Sequence, residues 1–122
     1  MPLRYLLDEH LRGALWDLVK RHNRLGMYPL DCQRVGDIPQ LPIGTSDPVI
    51  LRWTEAENRV LVSQDKSTLP NHLAEHLGAG RSSPGVMVVR PRVRLLAIFD
   101  YLVIAAYASQ SEEWANGITY IP

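Results

Sequence analysis

A single cysteine, Cys32, among 122 residues rules out an intrachain disulfide and any cysteine-rich zinc site, a pattern that suits a reducing compartment. Charge of one sign is missing as well. Thirteen basic residues balance thirteen acidic ones, so no general attraction to nucleic acid or to an anionic membrane follows from net charge, and any such affinity has to be local. Long apolar runs are also lacking: the stretch from Leu95 to Ala108 is interrupted by Asp100 and falls short of the roughly 20 residues that span a bilayer. It predicts a buried helix and no membrane anchor. The opening Met1-Pro2-Leu3-Arg4-Tyr5-Leu6-Leu7 reaches Asp8 before a signal-peptide core develops, so a cytoplasmic location is expected. The motifs GxGxxG, GxxxxGKS/T and GxSxG do not occur, which removes support for dinucleotide binding, P-loop chemistry and serine hydrolysis.

What is there reads as an ordinary globular chain. A hydrophobic share of 46% and a charged share of 21% argue against disorder, and the length fits one domain, 1–122, able to bury about two-thirds of its unfolded surface. The basic set is eleven Arg and two Lys, which favours planar contacts to phosphate or carboxylate, although a GC-rich coding bias gives the same ratio.

Arg4-Tyr5-Leu6-Leu7 reads as a buried parallel strand that ends at acidic residues. Leu11, Ala14, Leu15, Leu18, Val19 and Leu25 then share one helical face, closed by Gly26. Tyr28 to Val35 is a weaker strand because Pro29 lacks an amide donor, and residues 36–45 form a Pro- and Gly-broken loop. Ser46 is placed to cap a helix that starts with Asp47-Pro48 and carries Val49, Ile50, Trp53 and Ala56 at core spacing. Val60-Leu61-Val62 is a second strong strand, again followed by an acid, Asp65. A helix over Leu69 to Leu77, a strand at Val86 to Val89, a helix over Arg94 to Ser109 and a final strand near Gly117 to Ile121 complete a βαβαβαβαβ order. That alternation predicts a mainly parallel sheet with right-handed crossovers and helices on both faces.

In such sheets ligands bind beyond the carboxyl ends of the strands, where Asp8 and Asp65 project and which Asp47 can approach from its helix start. Hard cations such as Mg²⁺ take carboxylate oxygens and keep several waters, so the three aspartates are candidate ligands; acids in these places also cap helices and form turns. Glu9 is either a water-mediated helper or a solvated acid of a first helical turn, and Ser63 either orients a carboxylate or closes a turn. Lys66 is a candidate phosphate contact or an exposed lysine. Arg90, Arg92 and Arg94 form a positive patch at the same edge, suited to phosphate or simply solvated. His72 and His76 are spaced i,i+4, but Glu75 is not placed as in HExxH, and surface histidines are expected. Trp16, Trp53 and Trp114 read as core or interface anchors.

Four segments in order, Leu6-Leu7-Asp8-Glu9-His10-Leu11, Ser46-Asp47-Pro48-Val49-Ile50-Leu51, Arg59-Val60-Leu61-Val62-Ser63-Gln64-Asp65-Lys66 and Pro84-Gly85-Val86-Met87-Val88-Val89-Arg90, resemble the short, stand-alone PIN-like proteins, which are similar to VapC-type toxin ribonucleases. The resemblance runs from about Leu3 to Arg94. It implies a PIN-like, Rossmann-like α/β/α sandwich and Mg²⁺- or Mn²⁺-dependent cleavage of RNA. It further implies Asp8, Asp47 and Asp65 as the acidic, metal-holding positions, Ser63 as the family Ser/Thr, and an antitoxin protein as partner. One departure stands out: the family's DxD is here Asp65-Lys66-Ser67, with Ser67 in place of the fourth acid. Two rivals follow, an inert PIN-like module that binds protein or RNA, and a phosphotransfer receiver-like domain, which leaves Asp47 without a role. Because Leu95, Leu96, Ile98, Phe99, Leu102, Val103 and Ala106 spread around the last helix, it is expected to pack on the sheet and also against a second subunit or an antitoxin.

Overall fold

A computed structural model describes residues 2–11 and 13–121. Strands and helices alternate as the sequence predicts: β1 (Arg4–Leu7), α1 (Ala14–Arg24), β2 (Asp31–Arg34), α2 (Asp47–Glu57), β3 (Val60–Ser63), α3 (Leu69–Gly78), β4 (Val86–Val89), α4 (Leu95–Ala108) and β5 (Ile118–Ile121). Short 3-10 turns at Glu9–Leu11 and Ser111–Glu113 precede α1 and β5. All four strand pairings are parallel, in the order β2-β1-β3-β4-β5. The chain is therefore an α/β protein with an all-parallel five-stranded sheet.

Side-chain alternation along the central strands divides the core in two. Tyr5, Leu7, Val60, Val62, Met87 and Val89 face Leu15 and Val19 of α1 and Ile98 and Leu102 of α4. Leu6, Leu61, Val86 and Val88 face Ile50 and Leu51 of α2 and Leu69 and Leu73 of α3. With both faces covered, these strands need apolar residues at every position, which is why they read as continuous runs. Each buried Leu or Val contributes roughly 1.5–3 kcal/mol relative to exposure. Strand β2 is an edge strand, Asp31-Cys32-Gln33-Arg34, shorter than predicted; Tyr28 at φ 49° and Pro29 lie outside it because neither can extend the ladder.

The crossovers do not all have one hand, contrary to expectation. Helix α1 carries the chain from β1 outward to β2, and α4 carries it in the opposite direction, from β4 to β5, yet both lie on the same face. Their hands must differ, whereas α2 and α3, on the other face, agree with α1. The physical reason is coverage: α1 alone cannot shield Met87 and Val89, and the apolar α4 does so.

Several helix details also depart from the sequence reading. The Ser46 side chain makes no cap hydrogen bond, and α2 buries Ile50, Leu51 and Thr54 while Val49 and Ala56 face solvent. Leu25 is 76% exposed, because α1 ends at Arg24 and the chain turns away at Gly26 (φ 79°). Helix α4 is only half covered: Ile98, Leu102, Ala105 and Ala106 are buried, but Leu96 and Ile104 are each 63% exposed. Among the described residues no helix is long and apolar enough to cross a membrane.

Buried polar groups tie this framework together. The Tyr5 hydroxyl donates to the Leu102 carbonyl at 2.7 Å, joining β1 to α4. At the amino edge of the sheet the buried Arg59 guanidinium pairs with Asp31 Oδ1 at 2.9 Å and donates to the carbonyls of Tyr5 and Asp31.

Candidate functional site

The sheet order reverses direction between β1 and β3, the position where parallel sheets open a crevice at their carboxyl ends. A cleft of about 320 Å³ lies there, lined by Asp8, Glu9, His10, Thr45, Asp47, Gln64 and Asp65. Asp8 follows β1, Asp65 follows β3 and Asp47 opens α2, so three aspartates distant in sequence come to one cleft by topology.

Each carboxylate is held in its own way. Asp8 is only 9% exposed; its Oδ1 accepts the Glu9 amide at 2.7 Å and its Oδ2 accepts the Ser63 hydroxyl at 2.9 Å. Ser63 Oγ in turn accepts the Asp65 amide at 3.1 Å. The serine therefore links the ends of β1 and β3 and orients the Asp8 carboxylate. Asp65 Oδ1 accepts the Ser67 amide and the Thr68 amide, both at 3.0 Å, and the Ser67 hydroxyl at 3.1 Å, while Oδ2 accepts the Thr68 hydroxyl. Asp65 thus caps the turn leading into α3. Asp47 Oδ2 accepts from His72 Nδ1 at 2.9 Å, since a carboxylate can only accept.

The Thr68 hydroxyl and amide, with the Ser67 donors, hold the Asp65 carboxyl at about 2, below its ordinary value of 3.8. A depressed folded-state value stabilises the fold above the unfolded value, and that contribution is lost as pH falls from about 4 towards 2. Asp65→Asn is expected to lower stability at neutral pH by about 1 kcal/mol, the usual net worth of an intramolecular hydrogen bond, and to flatten this acid limb; urea titrations at pH 7 and pH 2.5 measure both.

Of the other predicted residues, Glu9 lines the same cleft and the basic ones lie outside it. Glu9 Oε1 accepts the Gly44 amide at 3.3 Å and so pins the loop before α2. Lys66 and Arg90 are exposed and line a neighbouring cleft together, whereas Arg92, at φ 65°, and Arg94, whose carbonyl accepts the first amides of α4, do not line it. His76 is not a surface residue: it is 7% exposed, and its Nε2 donates to the Ser82 carbonyl at 2.8 Å. Its burial between α2 and α3 follows from its place one turn after Leu73 on the inner face of α3. His72 on Asp47 is the site contact that the sequence reading missed, and its only signal is the i,i+4 spacing with His76. Thr45, Gln64 and His10 carry no signal at all.

Among the described residues, no three His, Cys, Asp or Glu side chains stand close enough together to hold one metal ion directly. A hydrated hard cation is a different matter. The three aspartates offer oxygen donors, and Asp8 and Asp47 keep uncommitted lone pairs. Such carboxylate oxygens are the donors that hard cations such as Mg²⁺ and Mn²⁺ take.

No protein-family model, curated protein or solved structure matches this chain.

Proposed function

We propose that the chain is a PIN-like, metal-dependent ribonuclease acting through the carboxyl-edge cleft, with Asp8, Asp47 and Asp65 as its acidic groups. The observation that carries this reading is the convergence of those three aspartates on one cleft at the switch point of the sheet. Mg²⁺ or Mn²⁺ bound there supplies an activated water and charge stabilisation for attack on a phosphodiester. Asp8, oriented by Ser63 and the Glu9 amide, provides the fixed negative charge that attracts the cation. Asp47, oriented by His72, faces it from α2, and Asp65 holds the rim of the cleft by bonding the turn that precedes α3. The receiver-like alternative gives Asp47 no task in a cleft that it lines.

As the toxin of a toxin-antitoxin pair, the protein would be held inactive in the cytoplasm by an antitoxin encoded beside it. Either that protein or a second copy of the chain would cover Leu96 and Ile104 on the open face of α4.

A second reading, the inert PIN-like module, is favoured by one observation: Asp65 accepts four hydrogen bonds from Ser67 and Thr68, three of them at Oδ1, and the acid expected at position 67 is a serine. Incubating wild type with RNA and Mg²⁺ or Mn²⁺, beside Ser67→Asp, separates the two. The nuclease reading expects metal-dependent cleavage by wild type; no cleavage by wild type with gain of cleavage in Ser67→Asp would establish the inert module instead.

A further inference from the structure

Beside the acidic cleft, the carboxyl ends of β4 and β5 enclose a larger groove of about 510 Å³, lined by Lys66, Val88, Val89, Arg90, Pro91 and Tyr120. Among the described residues, its lining has two cations and no acid. Neither Lys66 nor Arg90 has a carboxylate partner among the described residues. Two cations lining a concave surface are groups that an anion can meet there, in a chain whose net charge is zero. The Arg90 guanidinium sits 5.6 Å from the centre of the Tyr120 ring, and Tyr120 is 42% exposed, so a flat aromatic surface and a planar cation meet in the same groove. Val88, Val89 and Pro91 supply an apolar floor. Asp65 and Lys66 are chain neighbours that line the two clefts, so the groove and the acidic cleft adjoin.

We infer that this groove binds a single-stranded polynucleotide, with Lys66 and Arg90 on successive phosphates and Tyr120 stacked on a base. Phosphate neutralisation together with base-aromatic stacking is how proteins hold single strands without reading sequence. A volume of this size is within the range of small-ligand sites and suits a nucleotide unit. The strand would continue past Lys66 into the cleft of Asp8 and Asp65. This inference rests on the nuclease reading for its direction along the sheet edge, but the binding itself does not need cleavage.

The test is fluorescence anisotropy of a labelled single-stranded RNA, and of a DNA of the same sequence, with the full chain in EDTA, where no metal supports cleavage. Wild type is expected to bind with an affinity that falls with salt. Lys66→Ala and Arg90→Ala should each weaken binding and reduce the salt slope by about 0.7 for each phosphate no longer neutralised. Tyr120→Leu should weaken binding about tenfold, and Tyr120→Phe should retain it, because stacking needs the ring and not the hydroxyl. All of these substitutions lie on exposed side chains, and melting curves confirm that each variant is folded. Tighter binding of the RNA than of the DNA assigns the groove to RNA; equal binding assigns it to single strands of either sugar. Absent binding by wild type, or binding and salt slope unchanged in both cation variants, would overturn the proposal. Binding that obeys these expectations without any cleavage in Mg²⁺ or Mn²⁺ sinks the nuclease reading alone, and cleavage with binding indifferent to all three residues sinks the groove alone.

Discussion

On the proposed nuclease reading, millimolar Mg²⁺ or Mn²⁺ is expected to raise the melting temperature of the wild type and to support RNA cleavage, and Asp8→Asn to remove both effects. The substitution keeps the size of the side chain and leaves one oxygen to accept the Glu9 amide, but it removes the charge on which hard-metal binding depends. It also places an amide donor towards the Ser63 hydroxyl, which then accepts from residue 8 instead of donating to it, while its oxygen can still accept the Asp65 amide. By linkage, an ion at one hundred times its Kd stabilises the folded state by about 2.7 kcal/mol, equivalent to roughly 10 °C or more for a chain of this size. In Asp8→Asn that shift should vanish, and cleavage should fall by on the order of a hundred- to a thousandfold, as it does when one essential electrostatic group is lost. Differential scanning fluorimetry with and without metal, run beside an RNA cleavage time course, reads both effects. A full thermal shift retained in the variant would remove Asp8 from the metal site.

The largest effect on folding is expected far from the cleft. Gly85, immediately before β4, has φ 122°, and a Cβ added to it would lie 2.5 Å from the Trp114 carbonyl oxygen and 3.0 Å from the Trp114 carbonyl carbon and Cβ. Those atoms cannot move aside cheaply. The Trp114 amide is bonded to Ser111 O, the Trp114 carbonyl accepts the Gly117 amide, and Gly117 O accepts the Val86 amide at the start of the β4-β5 ladder. Gly85 O itself accepts the Leu61 amide of β3. Gly85→Ala combines a backbone conformation that L residues rarely adopt with a clash against fixed backbone, and should cost on the order of 3 kcal/mol, or roughly 10 to 20 °C in melting temperature. Gly117→Ala is the matched control: its added Cβ would be 3.7 Å from the nearest atom, the Trp114 carbonyl oxygen, and little loss is expected. Thermal melts of the two variants decide whether the close approach at Gly85 has this weight.

The alternation of strands and helices was legible because each central strand is buried on both faces and each helix carries an inner stripe; Val60-Leu61-Val62 and Leu15 with Val19 express this directly. The arrival of Asp8 and Asp65 at one edge follows from that reading, since parallel strands deliver their carboxyl ends to the same side. The hand of the α4 crossover was not legible. It depends on which sheet face lacks a cover, a property of the assembled sheet and not of residues 95–108. The role of Asp65 was ambiguous for a different reason: a carboxylate after a strand serves equally as ligand or as cap, and Ser67 and Thr68 acquire meaning only once their hydroxyls and amides turn back onto it. His72 was hidden because its partner, Asp47, is distant in sequence and belongs to another helix. His76 was misread because a polar residue one turn beyond Leu73 gives no sign that the Ser82 carbonyl awaits it.

The central claim, that a hydrated divalent ion sits among Asp8, Asp47 and Asp65, is tested most directly by titrating isotopically labelled protein with Mn²⁺ and following paramagnetic broadening of its amide signals. The account predicts that Asp8, Glu9, Asp47, Gln64 and Asp65 broaden first, and that excess Mg²⁺ restores them. Broadening that begins elsewhere, for example at Glu112 and Glu113, with the cleft signals unaffected, would contradict it.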